Sequence, residues 1–165
     1  MSDDDGRRDV LFLLHDVARL IRYEADRRAA THGMTRAQWV ILIWLERQPG
    51  LSQKELAELL EVEPITVARL IDRLEARGMV ERRPDARDRR VWRLHLLPAA
   101  RPVLGEIEGE RADILRLLTT DVAPATQLVM IEGLGRMKAT LLSKFRHKGP
   151  FKDTTVREIS VKDVA

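Results

Sequence analysis

The strongest chemical signal in the sequence is a run of arginines near its middle. Residues 82–93 carry six arginines against two aspartates, although the whole chain of 165 residues has a net charge of only +3. Such a local excess of positive charge indicates a surface that binds an anionic partner such as nucleic acid. Asp88 stands two residues before Arg90, so its carboxylate can accept a hydrogen bond from that guanidinium and fix its direction. The other arginines of the loop are expected to flank phosphates or to be solvated, and they are Arg82, Arg83, Arg87 and Arg89.

A second group of candidate residues lies on a helix that precedes this run. Apolar residues at helical spacing predict a helix over residues 64–77, with Pro64 at its first position and Gly78 after its end. Its exposed face carries the candidate DNA contacts Ile65, Thr66, Ala68, Arg69 and Arg73.

The side chains of this face suit the edges of base pairs. The fork of Arg69 matches O6 and N7 of guanine, whereas Ile65 and Ala68 suit thymine methyl groups. Two alternatives for Arg69 stay open, a phosphate contact and an ion pair with Asp72. Arg73 suits a phosphate or an ion pair within the helix.

The elements around these residues predict a known arrangement. Ser52 and Glu55 form a capping box that starts a short helix running through Leu60. Residues 79–83 and 91–96 read as the strands of a β-hairpin, the second one directing Trp92, Leu94 and Leu96 inward. Two short helices followed by a two-stranded ribbon make a winged helix-turn-helix, in which the arginine run occupies the loop of the wing.

Long helices are predicted on both sides of the wing. Apolar periodicity indicates helices over residues 8–32, from residue 98 or 102 to about 120, and on to about 145. Their apolar faces exceed what so small a winged helix covers, which favours a homodimer. The predicted fold is therefore mainly α with a small β-hairpin (α+β): a dimerisation region over 8–34 and 98–145, a DNA-binding domain over 35–97 and a flexible tail over 146–165.

A ligand site is predicted on the first two helices. His15, Arg19 and Arg22 lie on one side of the first helix, and Trp39 lies on the second. Cations and an indole together suit a small aromatic carboxylate. The alternatives are that Trp39 belongs to the core and that Arg19 and Arg22 pair with acidic neighbours.

Other classes of function find little support in the sequence. The chain has no cysteine, and its four histidines show no metal-ligand spacing. Neither a catalytic constellation nor a phosphate loop stands out, so no enzyme activity, metal or cofactor is expected. The apolar run near residues 40–45 is far too short to cross a membrane, and the acidic amino terminus is unlike a signal peptide. The expected location is the cytoplasm.

The stretch "SQKELAELLEVEPITVARLIDRLEARGMVERRPDARDRRVWRLHLLPAAR", residues 52–101, closely resembles the MarR family of bacterial transcription regulators, near its SlyA-type branch. Residues 15–42 resemble the first two helices of that family. The resemblance implies a homodimeric regulator, most simply a repressor, that binds a palindromic operator and is released by a small anionic aromatic ligand. It places Thr66 and Arg69 in the major groove, Asp88 and Arg90 in the wing, and Arg22 and Trp39 beside the ligand.

The sequence also departs from that family. Small hydroxyl residues are common where Ile65 and Ala68 stand, so the operator preference does not carry over. Glycine is frequent at the position of Glu61, where strain in the turn is expected, and a threonine cap at that of Leu97. An alternative function is a winged-helix module that binds an acidic protein instead of DNA.

Overall fold

The computed structural model describes residues 3–145 of the chain, and the side chains of residues 9–144. These residues fall into two compact units that divide between Asp121 and Val122. The helices are α1 (Asp3–Thr31), α2 (Arg36–Arg47), α3 (Gln53–Leu60), α4 (Pro64–Ala76), α5 (Ala100–Leu118) and α6 (Pro124–Phe145), and the strands are β1 (Val80–Pro84) and β2 (Trp92–Leu96). The predicted tail at 146–165 lies outside the described residues.

Capping residues explain where the first helices begin and end. Gly33, after α1, has a φ of 63°, a left-handed conformation that glycine adopts readily at the end of a helix. Thr35 caps α2, and Gln38 completes a capping box there. Ser52 and Glu55 form the predicted capping box of α3, in which the Ser52 hydroxyl accepts from the Glu55 amide and the Glu55 carboxylate accepts from the Ser52 amide.

The turn between α3 and α4 contains the strain that the sequence predicts. Glu61 follows α3 with a φ of 55° and a ψ of 42°, and it is the only non-glycine residue with a positive φ among those described. An L-residue with a Cβ adopts this conformation at a cost in free energy. Pro64 then opens α4 at a position where no backbone N–H is needed.

The two strands form an antiparallel hairpin, the wing. Val80 pairs with Leu96, Arg82 with Leu94 and Pro84 with Trp92. An isolated bridge between Ser52 and Arg93 ties the segment before α3 to β2. The wing is therefore attached along its inner end to the helix-turn-helix.

The core of the first unit lies mainly within residues 35–97, here called the winged-helix region, and extends to Ala29 of α1 and to Ile107 of α5. The largest fully buried side chains are Ile41, Leu42, Leu45, Leu56, Val67, Ile71, Leu74, Val80, Leu94 and Ile107. Ala99, before α5, provides no side-chain cap, which agrees with the absence of a threonine at Leu97.

The second unit contains α6. Its large apolar side chains are exposed along the helix, namely Leu128, Val129, Met130, Ile131, Leu134, Met137 and Leu141. A helix with so much apolar surface needs a partner to cover it in water.

Candidate nucleic-acid interface

The exposed face of α4 carries the residues predicted to contact bases. Val67, Ile71 and Leu74 turn toward the core and are fully buried, so the opposite face points to solvent. Ile65 is 61% exposed, Thr66, Arg69 and Arg73 are exposed, and Ala68 is half-buried. The first two turns of α4 thus present a mixed apolar and cationic surface. In helix-turn-helix proteins this end of the second helix enters the major groove.

One alternative for Arg69 is not seen in the structure. Asp72, its predicted partner, accepts a hydrogen bond from Nη2 of Arg82 at 2.6 Å instead. Among the side chains that the structure describes, Arg69 forms no ion pair. Its guanidinium is therefore available to a base or a phosphate.

The wing loop holds Arg90 in the predicted way. Asp88 accepts hydrogen bonds from Nε of Arg90 at 3.1 Å and from Nη2 at 3.2 Å, while the Arg90 amide donates to the same carboxylate at 3.0 Å. The Arg90 side chain is 90% exposed. Hydrogen bonds from the Arg90 side chain and amide lower the pKa of Asp88, so the carboxylate stays charged at neutral pH.

Asp85 organises the same loop, a role that the sequence analysis missed. One of its oxygens, Oδ1, accepts from the amides of Arg87 at 2.7 Å and Asp88 at 3.1 Å, and Oδ2 accepts from Nε of Arg93 at 2.6 Å. The Arg93 side chain and these two amides lower the pKa of Asp85 to about 2. An aspartate directly after a proline is a common turn signal and could have indicated this role.

Arg82 does not belong with the solvated or phosphate-flanking arginines of the wing. Its guanidinium pairs with Glu75 and Asp72 of α4, and its amide donates to Glu75 at 3.1 Å. The expectation was wrong because charge counting along the sequence cannot show that α4 supplies two carboxylates. Arg83 also has a partner, the nearby Glu81, whereas Arg87 and Arg89 are exposed.

Trp92 corrects another prediction. The alternation of β2 places it on the same face as Leu94, yet Leu94 is fully buried and Trp92 is 49% exposed. Trp92 pairs with Pro84 at the outer end of the hairpin, beyond the core. Alternation identifies the face of a strand, but not the point at which the core ends.

A cavity of about 350 Å³ lies between α1, α2 and α5, and it brings together only two of the four predicted ligand residues. Arg22 and Trp39 line it, together with the further cations Arg36 and Arg111. Arg36 pairs with Asp26 and Arg111 with Glu108, whereas Arg22 has no ion pair within residues 9–144. The remaining lining is mostly apolar.

His15 and Arg19 do not line this cavity, so the structure does not bring them together with Arg22 and Trp39. Both are exposed on α1, and Arg19 pairs with Asp16 at 2.6 Å. Helical spacing correctly placed them on one side of α1, but the cavity forms farther along the helix, where α1 faces α2 and α5.

Trp39 belongs both to the core and to the cavity wall. It is buried, its ring lies 5.7 Å from that of His32, and its Nε1 has no hydrogen-bond partner among the described residues. A buried indole N–H usually finds an acceptor. Among the described residues, the Trp39 indole N–H is therefore an unpaired donor within the core.

A larger groove of about 840 Å³ lies between the end of α2, the hairpin and α5. Its charged residues are of both signs: Arg83, Arg101, Glu46 and Glu108. This groove consequently favours no single sign of ligand charge. Within the described part of the chain, no group of three or more acidic, histidine or cysteine residues could hold a metal ion, and no helix is long and apolar enough to span a membrane.

Together, the capped helix-turn-helix, the exposed α4 face and the arginine-bearing wing define a winged helix-turn-helix protein of the DNA-binding class. Comparison with known proteins agrees. A model of the MarR family matches residues 32–91. The crystal structure of transcriptional regulator PA3341 is 35% identical and covers 79% of this chain and 96% of its own, with a TM-score of 0.67.

Two further solved structures share the fold. A crystal structure of MarR is 26% identical over 80% of this chain and 90% of its own, with a TM-score of 0.73. The transcriptional regulator SlyA is 24% identical over 84% of this chain and 97% of its own, with a TM-score of 0.70. The chain belongs to the MarR family of transcriptional regulators.

Proposed function

We propose that the protein is a homodimeric repressor that binds an inverted-repeat operator and is released by a small anionic aromatic effector. The observation that carries the proposal is the presence of two exposed arginines on different elements, one on α4 and one on the wing. Arg69 projects from the first turns of α4 without an ion pair among the described side chains, and Arg90 projects from the wing under the control of Asp88. One suits a major groove and the other a narrow minor groove.

The contacts to DNA follow from the chemistry of each side chain. Arg69 reads a guanine, Thr66 lies beside it, and Ile65 and Ala68 contact thymine methyl groups. Arg73 of α4 and the wing residues Arg87 and Arg89 bind phosphates and supply affinity without sequence preference.

Exposed apolar side chains support the dimer. On α1 they are Val10, Leu11, Phe12, Leu13, Leu14, Val17 and Leu20, and near the end of α5 they are Leu115, Leu117 and Leu118. A second copy would cover such faces, as obligate dimer interfaces do. In this arrangement residues 8–34 and 98–145 form the dimerisation region and residues 35–97 bind DNA, so two half-sites are read in inverted orientation.

The cavity between α1, α2 and α5 supports the effector. Arg22 supplies a cation for a carboxylate, and Trp39 supplies an aromatic wall. Because these helices join the dimerisation region to the winged-helix region, an effector that binds one spacing of the two α4 helices better than another would shift DNA affinity.

DNA selection followed by titration tests the proposal. Genomic fragments retained by the purified protein should share an inverted repeat, and a fluorescence-anisotropy titration at fixed salt should show that Arg90→Ala weakens binding to it by about tenfold. Arg47→Ala is the matched control, because it removes an exposed arginine at the end of α2, outside α4, the wing and the proposed dimerisation region, and it should leave affinity unchanged. Equal affinity for the selected and random duplexes would contradict the proposal and favour the protein-binding alternative.

The effector has a separate test. Salicylate-like aromatic acids should raise the melting temperature of the wild type and lower operator affinity, and Arg22→Ala should remove both effects while leaving DNA binding without the acid intact. Unchanged melting and affinity across such acids would contradict the effector part alone.

A further inference from the structure

We propose that Arg93 is a positioning residue for DNA binding: it clamps the wing loop to the start of α3 and thereby sets the direction of Arg90. This inference rests on the proposed function, in which the wing binds DNA. Arg93 was not among the predicted site residues, since it comes after the loop and within β2.

The guanidinium of Arg93 joins three separate segments of the chain. Its Nε donates to Asp85 of the wing loop at 2.6 Å, and its Nη1 donates to Glu55 of α3 at 2.9 Å. The same Nη1 donates to the carbonyl of Gly50, before α3, at 3.3 Å. The side chain is 34% exposed, so these hydrogen bonds are partly shielded from water.

A chain of hydrogen bonds leads from Arg93 to the tip of the wing. Asp85 receives the Arg93 guanidinium on Oδ2 and the amides of Arg87 and Asp88 on Oδ1. Asp88 then holds the amide and the guanidinium of Arg90. Every link from Arg93 to Arg90 is thus a direct contact.

The other end of the clamp is the N-terminus of α3. Glu55 Oε2 accepts from the Ser52 amide at 2.7 Å, which is half of the capping box, and also from Arg93. Backbone contacts strengthen this end, because the Leu94 amide donates to Leu51 and the Gly50 amide donates to Leu94. The wing loop therefore cannot rotate relative to α3 without breaking a contact of Arg93.

Such a clamp favours binding because it orders the contacting side chain beforehand. A free arginine loses conformational entropy when it enters a groove, whereas one already held loses less. Arg83 offers the contrast within the same hairpin: it lies opposite Arg93 in the register, and its only ion pair among the described side chains is with Glu81, on its own strand.

A double-mutant cycle with the full chain tests the proposal. Affinity for the selected operator is measured for the wild type, Arg93→Met, Arg90→Ala and the double variant. Since coupled residues give non-additive effects, Arg93→Met alone should weaken binding about fivefold, and in its background the loss from Arg90→Ala should shrink from about tenfold to about twofold. Arg83→Met is the matched control, and with it the full effect of Arg90→Ala should persist.

Footprinting adds a readout that a purely structural role would not change. In Arg93→Met, the minor groove beside the wing should be less protected from hydroxyl radicals. Guanine N7, whose protection from methylation reports contact of α4 with the major groove, should stay protected. Arg93→Lys keeps the charge but replaces the separate Nε and Nη1 donors with a single nitrogen, so it should restore only part of the affinity.

The outcomes separate this inference from the proposed function. If the wild type binds the operator but the effects of Arg93→Met and Arg90→Ala are additive, Arg93 is not a positioning residue, and the proposed function is unaffected. If the wild type binds no duplex selectively, the proposed function and this inference both fail. Asp85→Asn breaks the same chain of contacts and replaces Arg93→Met in the cycle if that variant melts below the assay temperature.

Discussion

The winged-helix region and the N-terminal half of α1 differ in how they treat their apolar side chains. In the first, Leu56, Val67 and Leu94 are fully buried by the chain itself, and arginines of the hairpin are held by carboxylates of the same region. In the second, Leu11 is 73% and Phe12 is 70% exposed. The winged-helix region therefore buries its apolar side chains within a single chain. The N-terminal half of α1 instead fits the proposed role of a surface that a second copy covers.

The largest expected effect is the loss of a core side chain from the complete region. Leu74 is fully buried, so Leu74→Ala should lower the free energy of unfolding by about 2–5 kcal/mol. Chemical denaturation, carried out at a concentration where the protein is monomeric, measures this loss.

A matched variant of α1 tests whether the two regions differ in what their apolar side chains stabilise. Leu20→Ala removes the same atoms from a half-exposed position, and it should hardly change monomer unfolding while it weakens dimer association in sedimentation experiments. An equal loss of monomer stability in both variants would remove the distinction between the two regions.

Charged substitutions on the exposed apolar face of α1 should have the next largest effect. Leu13 and Val17 are exposed and lie one turn apart on the same side of the helix. Glutamate at both positions should abolish the dimer at micromolar concentration and weaken operator binding roughly 100-fold, because two linked half-sites are no longer engaged together. Light scattering measures the mass of the protein in solution, and fluorescence anisotropy measures its affinity for the operator.

The apolar pair Leu13→Met and Val17→Ile is the control for that experiment, since it keeps the character of the face. A dimer that persists with both glutamates would show that the exposed half of α1 is not the interface.

A smaller effect is expected at His32, which joins the end of α1 to α5. His32 contacts Glu110 at 3.0 Å and Glu106 at 3.2 Å, both on α5, with Arg28 of α1 and Trp39 of α2 close by. The hydrogen bond with Glu110, aided by the charge of Glu106, raises the pKa of His32 above its ordinary value of 6.5. Its stabilising contribution is therefore complete below about pH 6.5 and is lost as pH rises through the raised pKa.

Thermal melting as a function of pH measures this contribution. The melting temperature of the wild type should fall between about pH 6 and 8, and His32→Gln should flatten that part of the profile. The variant keeps the other three histidines, so an unchanged slope would show that His32 is not the responsible group.

Local signals in the sequence predicted much of the fold and part of the site. The faces of α4, the cap at Ser52 and the contact between Asp88 and Arg90 depend on residues a few positions apart, and all of them are present. Such features follow from helix geometry and turn chemistry alone.

The missed features depend on distances along the chain or on the limits of the core. Arg93 and Glu55 are 38 positions apart, so no local pattern predicts their hydrogen bond. Periodicity gave the correct face for Trp92 and the correct side of α1 for His15 and Arg19. Periodicity does not show at which residue of a helix or strand its contacts with the neighbouring elements end.

The smallest expected effect concerns the one strained residue of the winged-helix region. Glu61 has a φ of 55°, where asparagine is tolerated better than glutamate, so Glu61→Asn should raise the free energy of unfolding by up to about 1 kcal/mol. Glu61→Gln is the matched control, because it removes the charge but keeps the Cβ and the long side chain. Chemical denaturation should therefore show a gain for asparagine and none for glutamine. Equal gains would mean that the charge of Glu61, rather than backbone strain, limits stability at this turn. The only left-handed non-glycine residue within the described chain would then place no backbone strain on the winged-helix region.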